Sequence, residues 1–173
     1  RANPGKLNMA SPGAATLTRL AGEMFRQSAG LDWVTVHYKG GPPAVQDLLA
    51  GNAHVMFANI SDVISLVKAG KLRALAVTTA SRSAVAPELP TLAETALPGF
   101  AVSTWQAVLA PAGTPREIVA RIHADTVRAL RDENVAAALR TARIFPIGNT
   151  PEEFAAMIRE GHATWGRVIR ETG

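Results

Sequence analysis

Residues 33–60 read WVTVHYKGGPPAVQDLLAGNAHVMFANI, in which a strand-forming run, a short helical pattern and a second apolar run follow one another. Strand, helix and strand in this order form the βαβ unit of parallel sheets. The same alternation continues on both sides of the stretch, through the first 80 residues. We therefore predict an α/β fold with a parallel or mostly parallel sheet. The predicted strands are Leu7–Ala10, Trp33–Tyr38, His54–Ala58 and Leu72–Thr78, and the predicted helices are Thr16–Ser28, Pro43–Ala50 and Ser61–Ala69.

The second half of the chain has a different pattern. Residues 79–98 are rich in Ser, Ala, Pro and Thr, which predicts an irregular connection with one helical turn at Leu92–Thr95. A strand is predicted at Ala101–Ala110, and the pattern that follows is mainly helical. Capping residues mark the predicted helix starts. These are Thr114 with Pro115 and Glu117, Asp132, and Thr150 with Pro151 and Glu153, and a short strand is predicted at Ile144–Ile147.

The composition is that of an ordinary globular protein, with 173 residues, 47% hydrophobic, 18% charged and no cysteine. The lack of cysteine excludes disulfide scaffolds, thiol catalysis and cysteine-bound zinc. The formal net charge is +4, and its excess lies in residues 1–78, which carry eight basic and four acidic side chains. These basic residues are scattered singly, without interleaved aromatic residues. We therefore expect no nucleic-acid partner and favour a small anionic ligand.

Neither a membrane span nor a leader is predicted. The longest interval without a charged residue, Thr95–Pro115, is interrupted by prolines and glycines. The chain opens with the polar segment RANPGK, so we expect that a signal peptide is either absent or already removed.

The segment SPGAAT, residues 11–16, lies between a predicted strand and a predicted helix. At such a junction, backbone N–H groups and the positive end of the helix can hold an anion. The hydroxyls of Ser11 and Thr16 can add donors. The alternative is that Gly13 is present only because the turn needs a positive φ. The segment is neither a P-loop nor a dinucleotide-binding motif.

Two further junctions follow the same arrangement. HYKGGPP, residues 37–43, contributes two glycines and the cation of Lys39, and MFANISD, residues 56–62, contributes Asn59. Each has a simpler explanation, because Lys39 can be a solvated surface residue and Ser61 or Asp62 can cap the next helix. Three successive junctions with small, polar or glycine residues nevertheless favour a binding crevice.

Catalytic and metal-binding patterns are missing from the sequence. The four histidines are far apart and form no HxxxH or HExxH spacing, and no GxSxG elbow is present. We therefore predict no enzymatic activity, no catalytic residues, no metal and no cofactor. Trp105 and Gln106 are candidates for a cleft wall, with core packing as the alternative.

At these junctions the sequence resembles the tripartite tricarboxylate transporter receptors, the TctC or Bug family of periplasmic solute-binding proteins. The resemblance extends over essentially the whole chain. The matching segments are PGKLNMASPGAAT (4–16), LAGEMF (20–25), VHYKGGPPAVQDLLAGNAHVMFANI (36–60), VKAGKLRALAVTTASRS (67–83), LPTLAETALPGF (89–100), LAPAGTP (109–115) and TPEEFAAMI (150–158).

The resemblance implies a type II periplasmic-binding-protein-like fold, with two α/β lobes that close on a small carboxylate. Residues 1–104 would form mainly lobe two, with an irregular connection at 79–100, and residues 105–173 the helical C-terminal portion of lobe one. Such a receptor is periplasmic, has lost its signal peptide and delivers its solute to a membrane permease of a tripartite transporter. The implied ligand-binding residues are Ser11, Gly13, Ala14, Thr16, Lys39, Gly40 and Asn59.

This sequence departs from the family pattern at several positions. Pro12 and Ala15 replace a second serine and a glycine in the first loop, and His54 stands where an acidic residue is common. Ala58 stands where many members have an aspartate, which favours a plain carboxylate over an amino acid as ligand.

Family members also carry a further segment ahead of the part that matches Pro4. We therefore expect a truncated chain with one complete lobe and the C-terminal part of the other. Such a chain would expose apolar faces, and we expect homo-oligomerisation or strand exchange to cover them. The alternative function is the ligand-sensing effector domain of a transcription regulator with the same fold, and an α/β enzyme ranks third.

Overall fold

The computed structural model describes residues 4–172, which form two compact units. Residues 4–104 and 168–172 belong to the first unit and residues 105–167 to the second. The ends of the predicted lobes, residues 1–3 and 173, lie outside the described residues. The assignment of the two units to lobes two and one stays a prediction.

A three-stranded parallel sheet lies at the centre of the first unit. Its strands are β1 (Asn8–Ser11), β2 (Val34–His37) and β3 (Val55–Met56), in the order β2-β1-β3. In the register, Met9 of β1 is paired with Thr35 on one side and Val55 on the other. The predicted parallel sheet is confirmed, and β1 is its buried middle strand.

Three helices connect and cover these strands, close to their predicted positions. They are α1 (Leu17–Ser28), α2 (Gly41–Ala50) and α3 (Ile60–Lys68), and a single turn, α4 (Leu92–Thr95), follows later. Helix α2 begins two residues earlier than predicted. Gly40 ends the extended segment with a φ of 111°, and proline is accepted in the first turn of a helix.

Helix α1 packs very closely on β1. A Cβ at Gly22 would overlap the thioether of Met9, so a larger residue here would force the buried Met9 side chain to move. One turn further on, Phe25 contacts three aromatic rings, with its centroid 6.3 Å from Trp33, 5.8 Å from Phe57 and 6.0 Å from Phe100. These ring contacts join α1 to the segments around β2 and β3 and to residue 100.

Glu23 is a buried acid on the same helix. Its Oε1 accepts a hydrogen bond of 2.6 Å from Thr35 Oγ1, and its Oε2 accepts one of 2.8 Å from Arg26 Nε. Burial, the largest single influence, raises the pKa of Glu23. The hydrogen bonds from Thr35 and Arg26 and the charges of Arg26 and Arg19 outweigh it, so the net pKa lies below the ordinary value.

Two of the predicted strands are wrong. Within the described residues, the segment Leu72–Thr78 forms only an isolated parallel bridge between Val77 and Thr91. The segment Ala101–Ala110 is not a strand, although Val102 N donates to Thr78 O at 2.8 Å. An apolar, β-branched run becomes a strand only where a neighbour completes its ladder. Here Val77 bonds to Pro90 and Leu92, and Thr78 accepts the bond from Val102, without a continuous ladder.

The second unit is helical. It contains α5 (Arg116–Leu130), α6 (Glu133–Thr141) and most of α7 (Pro151–Thr172). The predicted strand at Ile144–Ile147 is wrong, because these residues form no regular element. No helix among the described residues combines the length and the apolar character that crossing a bilayer requires.

Two of the three predicted caps in this part are confirmed. Asp132 accepts the N–H of Asn134 at 3.0 Å, and Glu153 N donates to Thr150 Oγ1 while Thr150 N donates to Glu153 Oε2. The third prediction is wrong, because Pro115 itself precedes α5 and Thr114 donates its hydroxyl to the carbonyl of Pro111 at 2.8 Å.

Candidate functional site

The three predicted junctions lie at one edge of the sheet. Because β1, β2 and β3 are parallel, their carboxyl ends face the same way, and each is followed by a loop and a helix. Gly40 N donates to the carbonyl of Pro12 at 2.9 Å, which joins the second loop to the first. A Cβ placed on Gly41 would be 3.9 Å from Asp62 Oδ2, which brings the second junction near the third.

Hydrogen bonds to one carbonyl shape the first loop. The hydroxyls of Ser11 and Thr16 both donate to Gly13 O, at 3.0 and 2.9 Å. Thr16 Oγ1 also accepts the N–H of Arg19 at 3.3 Å and thereby caps α1. Both predicted hydroxyl donors are therefore engaged within the loop. The N–H groups of Leu17 and Thr18, which have no acceptor within the helix, are the donors that this junction offers to an anion.

Gly13 has a steric role in this loop. Its φ is not positive, so the proposed need for a left-handed turn residue is wrong. A Cβ at Gly13 would lie 3.3 Å from Thr16 Cγ2, closer than an ordinary contact. The glycine thus allows the capping threonine to approach the loop, and Ala14 stands exposed beside it.

The second loop contributes one cation and few backbone donors. Lys39 is exposed. Its exposure is compatible with both interpretations, a ligand contact and a solvated surface lysine. Gly40 adopts a φ of 111°, which other residues rarely take, and donates its N–H to Pro12. Pro42 and Pro43 have no N–H, so the start of α2 is poor in donors.

The third loop is a small polar network. Asn59 Nδ2 donates to Asp62 Oδ2 at 3.3 Å, and Asn59 Oδ1 accepts the hydroxyl of Thr104 at 3.3 Å. Ser61 Oγ donates to Asp62 Oδ1 at 3.0 Å. Asn59 itself precedes α3, so the expectation that Ser61 or Asp62 is the cap residue is wrong.

Two residues near the crevice were not identified from the sequence. Arg19 Nη1 donates to the carbonyl of Ala14 at 3.1 Å, which places a guanidinium against the first loop. Its position three residues after the capping Thr16 is a signal that could have indicated this. Thr104 has no such signal, because 45 residues separate it from Asn59.

Other candidate chemistry does not converge. Within residues 4–172, no three histidine, aspartate or glutamate side chains are grouped as metal ligands. Trp105 lies in the second unit, 50% exposed, with its ring edge-on to Phe154 at 5.2 Å. Its role as a cleft wall stays a prediction.

A family model described as tripartite tricarboxylate transporter family receptor matches residues 1–173. A UPF0065 protein of Pseudomonas sp. strain P51, from the tcbD-tcbE intergenic region, is 39% identical over 172 residues, which are 99% of this chain and 51% of that protein. BugT of Bordetella pertussis is 34% identical over 100% of this chain and 53% of its own length. The chain therefore spans about half the length of these curated relatives.

Solved structures show the same similarity. Rpa4515 of R. palustris, determined with adipate, superposes with a TM-score of 0.84 at 31% identity, over 98% of this chain and 56% of that one. MatC of Rhodopseudomonas palustris, determined with bound malate, has a TM-score of 0.79 at 29% identity, over 95% of this chain and 57% of that one.

Proposed function

Because the chain belongs to the tripartite tricarboxylate transporter receptor family, we propose that it captures a small carboxylate outside the cytoplasm and delivers it to a membrane permease. The family consists of periplasmic solute-binding receptors rather than enzymes. The proposed activity is accordingly reversible binding without chemical change.

The convergence of three strand ends carries this proposal. The first loop is bonded to the second through Gly40 and Pro12, and the second approaches the third at Gly41 and Asp62. An anion at this edge would meet the N–H groups of Leu17 and Thr18 at the start of α1, together with the positive end of the helix dipole. The relatives determined with adipate and malate each hold a small carboxylate, which is the ligand class proposed for this chain.

The proposed ligand contacts are divided between direct and supporting roles. Ala14 and the first turn of α1 would donate backbone N–H groups to the carboxylate, and Lys39 would add its charge. Ser11, Gly13 and Thr16 would hold the loop in shape through their bonds and close packing. Gly40 would fix the second loop, and Asn59 would contribute its amide.

We further propose that copies of this chain associate with one another or exchange strands, as expected from its exposed apolar side chains. Leu109 and Ile147 of the second unit are 74% and 76% exposed. Surfaces of this kind are covered when proteins assemble.

Isothermal titration calorimetry with a panel of mono- and dicarboxylates tests the proposed function. Lys39→Gln should weaken binding of the best ligand by about 1–3 kcal/mol, because it removes a charge-assisted contact. The matched control is Lys71→Gln, since Lys71 is an exposed lysine beyond the C-terminal end of α3, away from the junctions. Equal affinities in the wild type and in both variants would remove Lys39 from the site. A panel without any binding would reject the receptor function.

A further inference from the structure

Side chains hold two successive peptide groups of the first loop. Hydroxyl groups within the loop donate to the carbonyl of Gly13, which belongs to the Gly13–Ala14 peptide group. Arg19 Nη1 donates to the carbonyl of Ala14 at 3.1 Å, which belongs to the Ala14–Ala15 peptide group. The first peptide group is thus held from within the loop, and the second is held from helix α1.

Each of these hydrogen bonds also directs an N–H group. A trans peptide group is planar, so its carbonyl and its N–H point in opposite directions. All peptide bonds of the described residues are trans. The bond from Arg19 therefore directs the N–H of Ala15 away from the guanidinium, and the bonds to Gly13 direct the N–H of Ala14 away from the two hydroxyls.

The N–H groups of Ala14 and Ala15 are available to a ligand. Within residues 4–172, neither of them has an acceptor in the protein, and both residues are exposed. They lie shortly after β1, at the edge of the sheet where the three junctions lie. A carboxylate accepts hydrogen bonds from such groups, and its charge makes these bonds stronger than those to a neutral acceptor.

The contacts of Arg19 indicate a supporting role rather than that of a counter-charge for the ligand. Arg19 is partly buried, and the buried carboxylate of Glu23 lies one turn along the same helix. Burial is the largest influence on the pKa of Glu23 and raises it, whereas the charge of Arg19 is one of the influences that lower it. The positive charge of Arg19 therefore already acts on an acid inside the protein, while Nη1 holds the loop.

We propose that Arg19 is a positioning residue of the proposed anion site, and that it holds the Ala14–Ala15 peptide group so that the N–H of Ala15 donates to the ligand carboxylate. The proposal rests on the proposed receptor function. A donor that is already held in place loses less conformational freedom on binding than one in a mobile loop. Arginine suits this role because its guanidinium is a rigid fork with several N–H donors, so that one of them can hold a carbonyl.

Nuclear magnetic resonance of the 15N-labelled full chain tests this proposal. Arg19→Met removes the donors and keeps an unbranched apolar side chain in their place. Without ligand, 15N relaxation should show that the Ala14 and Ala15 amides are ordered in the wild type and mobile in Arg19→Met. Among acetate, succinate, malate and adipate, the one that binds most tightly should shift the Ala15 amide signal of the wild type. Arg19→Met should bind it about three- to tenfold more weakly, the effect of one hydrogen bond.

Two further variants separate positioning from charge and from stability. Arg26→Met is the matched control, because Arg26 lies on the same helix and bonds to Glu23 instead of to the first loop. It removes the same charge and should leave both the order of the loop amides and the affinity unchanged. Arg19→Lys keeps the charge without the planar fork and should weaken binding as Arg19→Met does. Circular dichroism establishes that each variant is folded.

The outcomes distinguish the two proposals. If Arg19→Met keeps ordered loop amides or the affinity of the wild type, Arg19 does not position the site, while the receptor function stands. The same conclusion follows if the Ala15 signal of the wild type does not move, if Arg26→Met weakens binding equally, or if Arg19→Lys binds as the wild type does. If none of the four carboxylates binds to the wild type, the receptor function is rejected, and this inference with it.

Discussion

Glu23 links α1 to β2 through a carboxylate in the interior of the first unit. The residue is 5% exposed, and both of its carboxylate oxygens accept a hydrogen bond, from Thr35 and Arg26. Because the pKa of Glu23 lies below its ordinary value of 4.5, the folded state favours the charged form. Its contribution to stability is therefore complete above pH 4.5 and is lost as the pH falls through the lower pKa of the folded state.

Substitution of Glu23 should remove this pH-dependent component. At neutral pH, Glu23→Gln should lower the free energy of unfolding by about 1–3 kcal/mol, because Arg26 and Thr35 lose a charged acceptor. The deficit should shrink as the pH is lowered below 4.5. Urea denaturation of both proteins from pH 3 to pH 7 measures this difference.

The exposed Glu133 serves as the control for Glu23. It pairs with Arg140 on the surface, and Glu133→Gln should change the free energy of unfolding by less than about 1 kcal/mol. A constant deficit for Glu23→Gln across the pH range would show that the charge of Glu23 does not stabilise the fold.

For single residues near the site, the sequence predicted the position in the fold but not the hydrogen-bond partners. Ser11 and Thr16 were identified from their place between a strand and a helix, but their hydroxyls donate to the Gly13 carbonyl. The position of a side chain follows from topology, whereas its hydrogen-bond partner depends on loop geometry. Asp62 was interpreted as a possible cap residue from its place at a helix start. Its approach to Gly41 could not be predicted, because Gly41 belongs to a different junction.

Helix α1 combines two tasks at its N-terminus. Thr16 caps the helix by accepting the N–H of Arg19, and the same helix start is the proposed anion site. Helix α7 has a comparable cap at Thr150, in the second unit and outside the three junctions. The chain therefore offers a matched pair of capping threonines for separating stability from binding.

Thr16→Ala and Thr150→Ala should each cost about 1 kcal/mol of stability, because each removes a side-chain acceptor at a helix start. Thr16→Ala should also weaken carboxylate binding, since the first loop loses its bond to Gly13. Thr150→Ala should bind normally. Thermal unfolding followed by circular dichroism measures the first effect and calorimetry the second. Equal affinities of the two variants would show that the Thr16 hydroxyl does not shape the binding site.

At the level of elements, helices were predicted better than strands. Caps and apolar periodicity are local, and they located α1, α3 and α4 to within one residue. Strands depend on partners that are distant in sequence. Segments 72–78 and 101–110 have strand-like sequences, yet among the described residues they lack a complete ladder. Periodicity could not reveal this, because it contains no information on pairing.

At the level of the whole molecule, the wrongly predicted strands also carry exposed apolar side chains. In the second unit, Val108 and Leu109 of one segment are 69% and 74% exposed, and Phe145 and Ile147 of the other are 56% and 76% exposed. Their sequences suit buried strands, but their side chains face solvent. Apolar segments with unpaired backbone are well suited to pairing with another chain.

Sedimentation velocity tests whether this surface mediates self-association. At tens of micromolar, the chain should sediment as a species heavier than its monomer mass of 18.2 kDa. Leu109→Asp and Ile147→Asp should shift it toward the monomer, because each places a charge where apolar area would be buried. Val34→Asp, at a 54% exposed position of β2 in the first unit, is the control and should leave the mass unchanged. A monomeric wild type that unfolds in one cooperative transition would contradict the prediction, since its exposed segments would then need no partner.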